Sequence, residues 1–196
     1  MAIFRRKNLI RRLSLKKWCN NMLEIRRAED KDIKIIGDFY DEQVLYMDEN
    51  GVNYPRWMYK NYPTEQSVRE AVASEEQYYC LLDGKLCAAF IINDYPGCAY
   101  DKGDWKKNLS VGEYLIIHTL SVDYRFAGKG IATEIVNFCL DLAKKKGYKA
   151  VRVDVVPDNF PAARLYVKCG FTFAGEKDLE RGLEHIPTFC LYEYNF

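Results

Sequence analysis

No stretch of this sequence stays apolar for the roughly eighteen positions that a membrane-spanning helix needs. Its first residues also lack the charged, apolar and small-residue segments of a secretory signal in their usual order. A cytoplasmic protein without a membrane partner is expected. Histidine is scarce, with only His118 and His185, and none of the seven cysteines sits in a C-x-x-C spacing. A zinc site would have to recruit scattered ligands, so no metal is expected. Cys19, Cys80, Cys87, Cys98, Cys139, Cys169 and Cys190 fall mostly in apolar runs and are expected as reduced thiols.

Acidic residues are absent from positions 1–21, where Arg5, Arg6, Lys7, Arg11, Arg12, Lys16 and Lys17 stand. Of the 29 basic residues these seven are set apart, which leaves 22 against 28 acidic residues in the remainder. A basic extension over 1–21 thus precedes an acidic domain over 22–196, and 196 residues suit one core rather than two. The extension has two readings. Phe4, Leu9, Ile10, Leu13, Leu15 and Trp18 among the cations would suit an amphipathic helix on a membrane or nucleic acid. The plainer account is a disordered arm, or leader sequence ahead of a start at Met22, and no nucleic-acid or membrane partner is then expected.

Along the domain, residues 24–28 read as a strand, and apolar spacing at Ile33, Ile36, Phe39, Tyr40 and Val44 predicts a helix over 29–47. Gly51, Pro55 and Pro63 break the pattern, and Thr64 caps a second helix running to about Ser74. Asp83-Gly84-Lys85 between the β-rich runs 78–82 and 86–92 predicts an antiparallel hairpin. A long polar connection over 95–112 precedes a strand over 114–122. Helix over 130–146, strand over 149–156, helix over 161–169 and strands near 171–175 and 188–194 follow, so the fold class is mixed α/β.

The segment Ala127-Gly128-Lys129-Gly130-Ile131-Ala132 between the strand 114–122 and the next helix has the makings of an anion site. Small residues let the backbone approach a ligand, and the free N–H groups of a helix's first turn point at it. A Walker A loop is excluded, because Lys129 is followed by glycine rather than Ser or Thr. A Rossmann loop fits Gly128-x-Gly130 and offers Asp154 on the next strand. Against it stand Thr133 at the third small position and too few residues after Asp154 for the remaining βα units. An ordinary glycine turn is the blandest account.

Leu120-Ser-Val122, then Ala127 to Ala132, then Asn159-x-Pro-Ala-x-x-Leu-Tyr166-x-Lys-x-Gly-Phe171 together resemble the GNAT superfamily of acyl-CoA N-acyltransferases, in order as well as in residues. The resemblance implies a central, mostly antiparallel mixed sheet with a splayed parallel strand pair, flanked by helices. It implies acetyl-CoA as co-substrate, with Leu120 and Val122 against pantetheine and Ala127, Gly128, Lys129, Gly130, Ile131 and Ala132 holding pyrophosphate. Asn159 would bond the cofactor arm or tie down its helix. The family's loop opens on Arg or Gln, and here Ala127 takes that place. The alternative frame, Arg125, Gly128 and Gly130, sits closer to Val122 than the family spacing.

The implied function is acetyl transfer from acetyl-CoA directly to a primary amine of a small molecule or peptide, by a monomer or homodimer. The rival is a CoA-binding module of the same fold without catalysis. Amine acetylation needs one base and one acid. His118 has the ordinary pKa for the base and the offset from Val122 of a catalytic histidine in the serotonin N-acetyltransferase branch, whose second histidine corresponds to Ile116. Glu113, Tyr114 or water stand in reserve, and simple packing of His118 remains open. Tyr166 takes the place of the family's proton donor, against the account of a core tyrosine among fifteen. Cys169, three residues further on, is read as packing rather than as a nucleophile. Tyr46, Tyr54, Trp57, Tyr62, Tyr95 and Trp105 are expected to wall the acceptor pocket.

Overall fold

A computed structural model describes residues 14–18 and 21–196. Positions 1–13 and 19–20, which carry most of the basic extension and Cys19, lie outside the described residues. The chain runs β1 (Ser14–Trp18), β2 (Asn21–Arg27), α1 (Ile33–Glu49), α2 (Glu65–Ala73), β3 (Gln77–Leu82), β4 (Lys85–Asn93) and β5 (Tyr114–Val122). It continues through α3 (Ile131–Lys146), β6 (Ala150–Val155), α4 (Phe160–Lys168), β7 (Thr172–Lys177) and β8 (Phe189–Asn195). One eight-stranded sheet forms in the order β1-β2-β3-β4-β5-β6-β8-β7. Within the stretch read as a basic extension, residues 14–18 thus add an edge strand, paired antiparallel to β2 from Ser14 with Ile25 to Trp18 with Asn21.

Local chemistry explains the elements. Thr64 caps α2 by accepting from the Ser67 amide at 3.1 Å, while the Ser67 hydroxyl accepts from the Thr64 amide at 2.9 Å. Thr64→Ala removes one side of that exchange and should cost about 1 kcal/mol, read by urea unfolding. Asp83 and Gly84 take φ of 50° and 80°, the paired left-handed turn whose twist matches a hairpin, and they join β3 to β4. The first helix starts later than its apolar spacing suggests, because residues 30–32 form a separate 3-10 turn closed by reciprocal bonds between Glu29 and Asp32.

Helices α1 and α2 bury Ile33, Ile36, Phe39, Tyr40, Val68 and Val72 on one face of the sheet. Helices α3 and α4 bury Ile131, Ile135, Val136, Cys139 and Tyr166 on the other. A third cluster gathers Tyr100, Tyr114, Ile116, Leu179 and Leu191 beneath the long connections. Inside it the Arg152 guanidinium lies 4.1 Å from both the Trp105 and Tyr114 ring centres.

Two irregularities in β5 shape a cavity beside it. Its pairing with β6, the sheet's one parallel contact among the described strands, covers only Tyr114 with Ala150, Leu115 with Val151 and Ile116 with Arg152. Both strands then run on apart, so their facing backbone groups are left without ladder partners. On the opposite edge the β4–β5 register shifts: His118 pairs with Ile91 and Ser121 with Ala89. Thr119 and Leu120 therefore face Phe90 alone, a bulge in which Thr119 takes φ 47°. The buried Tyr40 hydroxyl donates to the Thr119 carbonyl at 2.9 Å and holds this strained residue in place.

Candidate active site

A cavity of about 1020 Å³ opens where β5 and β6 part. Its wall includes Ile117 to Val122 of β5, Asp154 and Val155 of β6, Ala132 of α3, and Asn159, Leu165 and Tyr166 at α4. The connection between α1 and α2 adds Tyr54, Arg56, Trp57 and Tyr62, and that between β7 and β8 adds Arg181, His185 and Ile186. His118, Leu120, Val122, Ala132, Asn159 and Tyr166 are thus brought together.

Strand alternation places His118 with Tyr114 and Ile116 on the face of the long connections, whereas Tyr166 packs on the α3–α4 side. The gap between β5 and β6 lets one cavity reach both. Burial lowers the pKa of His118, with Asp154 acting to raise it and Arg181 to lower it further. The imidazole is therefore neutral near pH 7. Burial pushes the Tyr166 phenol well up, with Cys139, Asp154 and Cys169 adding to the shift, so it keeps its proton. Its ring packs 5.3 Å from that of Phe171.

Asp154 is fully engaged. Burial disfavours its charge, yet Arg181, His118 and the Tyr100 hydroxyl bring its carboxyl below the usual range. Arg181 donates to both carboxylate oxygens at 2.8 and 3.0 Å, and Tyr100 donates at 2.6 Å. That partnership makes Asp154 an organiser of the cavity wall, not the second-strand acid of a dinucleotide site.

At the head of α3, Gly130 is the N-cap with φ 77°, and Gly128 has φ 73° with open space where a Cβ would stand. The Ala127 and Lys129 amides are used by the preceding turn, bonding to the Tyr124 and Phe126 carbonyls at 3.2 and 3.4 Å. Among the described residues the amides of Gly128, Gly130, Ile131, Ala132 and Thr133 bond to no backbone carbonyl, which suits an anionic group. The Ile131 side chain is buried in the core and Lys129 lies over the Phe126 ring at 5.0 Å. Asn159 accepts from the Ala162 amide at 3.2 Å and so caps α4.

The reserve bases stand elsewhere. Glu113 is tied to Lys149 and the Ser110 amide, and Tyr114 stacks on Arg152. Of the expected aromatic wall, Tyr54, Trp57 and Tyr62 line the large cavity. Tyr95 lines a smaller neighbour with Tyr62, Tyr46 stacks on Tyr124 at 3.5 Å, and Trp105 packs on Tyr100. Cys169 is not on the cavity wall, and burial raises its thiol pKa. The six described cysteines are free thiols, and no cluster of metal-binding side chains occurs among the described residues. No described helix is long and apolar enough to cross a membrane.

A splayed parallel strand pair, one member of it bulged, and a glycine-capped helix N-terminus define a mixed α/β domain with an anion-binding turn beside an open strand edge. The acetyltransferase (GNAT) family model matches residues 38–171, and the chain belongs to that family. An uncharacterized N-acetyltransferase of Methanocaldococcus jannaschii is 34% identical over 79 residues, which is 40% of this chain and 34% of that protein. Streptothricin acetyltransferase of Escherichia coli is 29% identical over 93 residues, 47% of this chain and 50% of that protein. The matches thus span about a third and about half of those relatives' lengths. A GNAT family acetyltransferase from Listeria monocytogenes shares the fold with a TM-score of 0.73 at 18% identity, over 93% of this chain and all of that one. A putative acetyltransferase from Salmonella typhimurium, solved with its cofactor acetyl-CoA, gives 0.63 at 15% identity, over 88% and 93% of the two chains. Each of these relatives is named as an acetyltransferase.

Proposed function

We propose that the protein transfers an acetyl group from acetyl-CoA directly to a primary amine, with His118 as the base and Tyr166 as the hydrogen-bond donor to the departing thiolate. The observation that carries this reading is the single cavity at the β5–β6 gap that both side chains line. Bound acetyl-CoA supplies a thioester, whose carbonyl carbon bonds to the amine nitrogen as the carbon–sulfur bond breaks. Neutral His118 takes the proton that the nitrogen gives up. The Tyr166 phenol, with a pKa raised above an alkyl thiol's value of about 8.5, steadies charge on sulfur by a hydrogen bond rather than by full proton transfer. The unpaired edges of β5 beyond Ile116 and β6 beyond Arg152 offer backbone partners for the two amides of pantetheine, beside Leu120 and Val122. The free amides of Gly128, Gly130, Ile131 and Ala132 would hold the pyrophosphate, each charge-assisted bond contributing about 1.5–3 kcal/mol.

Gly130→Val tests the phosphate grip. A β-branched residue at φ 77° is strained, so the first-turn amides are displaced. The KM for acetyl-CoA should rise about tenfold or more, the loss of roughly one charge-assisted bond. An unchanged KM would move the pyrophosphate site away from this turn.

The acceptor is tested by release of free thiol from acetyl-CoA with streptothricin, polyamines, arylalkylamines, aminated sugars and peptides with free N-termini. Streptothricin belongs in the panel because of the likeness to streptothricin acetyltransferase. Release with any of these amines, and an amide product, supports the reading. Thermal stabilisation by CoA without release with any acceptor would favour a non-catalytic CoA-binding role, and stabilisation by NAD alone would reject both.

A further inference from the structure

Asn93 ends β4, and its side-chain amide bridges two other groups. Nδ2 donates to Glu76 Oε2 at 2.9 Å, and Oδ1 lies 3.0 Å from Nε2 of His118. A carboxylate accepts hydrogen bonds and does not donate them, so Glu76 sets which way the amide faces. The Tyr95 amide, which can only donate, also approaches Oδ1, at 3.3 Å, and agrees with that orientation. Glu76 is itself anchored on both sides of its backbone. Its amide donates to the Ala71 carbonyl at 2.8 Å and its carbonyl accepts from Ile92 at 3.1 Å. Since Oδ1 can only accept, the hydrogen between Asn93 and His118 belongs to Nε2.

We infer that Asn93 and Glu76 are positioning residues that fix His118 as its Nε2–H tautomer, leaving the Nδ1 lone pair to take the acceptor's proton. The inference rests on His118 being the base. Other groups bear on the ring: Asp154 from β6 and Arg181 from the β7–β8 connection by charge, and Tyr62, Glu70 and Tyr95 around a cavity of about 250 Å³ that His118 also lines. None of these is hydrogen-bonded to the imidazole, so the choice of nitrogen falls to Asn93.

The test uses the full chain with 15N-labelled histidine. There are only two histidines, and a His185→Gln variant identifies the signals of His118. Long-range 1H–15N correlation above the titration range should show a protonated-type Nε2 and a lone-pair-type Nδ1. In Glu76→Gln the amide of Asn93 is free to rotate, so both tautomers should appear. The kcat should then fall about 10- to 100-fold at unchanged KM for acetyl-CoA, short of the roughly 10⁴-fold loss that a wholly wrong tautomer can cause. The isosteric exchange Glu76→Gln with Asn93→Asp puts the acceptor-only carboxylate beside the ring and lets the new side-chain amide at position 76 donate to it. That double variant should regain the Nε2–H tautomer and kcat to within about threefold, and its acid limb should move up by about one pH unit, as a carboxylate favours imidazolium. An Nδ1–H signal in the parent protein, or one unchanged tautomer and unchanged kcat in Glu76→Gln, overturns the inference. Loss of His118 without effect on rate or acid limb would instead remove the base assignment, and the nitrogen spectra would still decide the tautomer.

Discussion

Tyr166→Phe should lower kcat about 10²- to 10³-fold while leaving the KM for acetyl-CoA within about twofold. The ring that packs against Phe171 is retained, and the parent residue is buried, so the substitution changes little besides one hydroxyl. That hydroxyl has no hydrogen-bond partner within the protein among the described residues, so removing it orphans no other group. Its contribution arises as charge builds on sulfur, which is why the loss should fall on kcat. Because burial raises the phenol's pKa, any basic limb that belongs to Tyr166 lies above the usual value near 10. Steady-state kinetics beside a thermal melt separate the two roles: a stable variant with normal turnover would leave Tyr166 as a core residue.

Much of this architecture is written in short-range signals. The Asp83-Gly84 turn, the strand from Tyr114 to Val122 and the helix between Gly130 and Gly147 each depend on residues within one or two turns, and each forms where the sequence predicts it. What was hidden depends on distant partners. The expected first strand over 24–28 begins at Asn21, with β1 added outside it, because strand ends follow pairing rather than propensity. β8 inserts between β6 and β7, an order that no local pattern encodes. Trp105 and Tyr46 have the aromatic character of pocket walls, but Arg152 and Tyr124 offered them closer partners. The wall from Glu180 to Ile186 comes from the β7–β8 connection, where no short-range pattern marks a place at the cavity. His118 could be singled out by residue type. Asn93 could not, since a single amide at the end of an apolar strand gains meaning only from a ring 25 positions away.

His118→Ala should lower kcat/KM for the amine about 10²-fold or more and abolish the acid limb of its pH profile. The direction of that limb follows from the ring's surroundings. Burial disfavours the imidazolium, and this outweighs the attraction of Asp154, so the parent limb should lie below the ordinary histidine value of about 6.5. Above it the base is neutral and the rate is flat; below it each pH unit removes about a factor of ten in neutral base. The same shift has a consequence for stability. The unfolded chain binds this proton at higher pH than the folded one, so stability is full above about 6.5 and declines as pH falls toward the depressed folded value. His118→Ala should flatten that decline as well as the rate profile. The two readouts part if the ring merely packs in the strand: thermal stability would then keep its dependence on His118 while the pH–rate profile of the variant would match the parent. A matching profile therefore removes the base from His118 and turns the search to solvent and to Glu180 and His185 on the same cavity wall, because Asp154 is held by Arg181 and Tyr100, and Glu113 lies at the far end of β5.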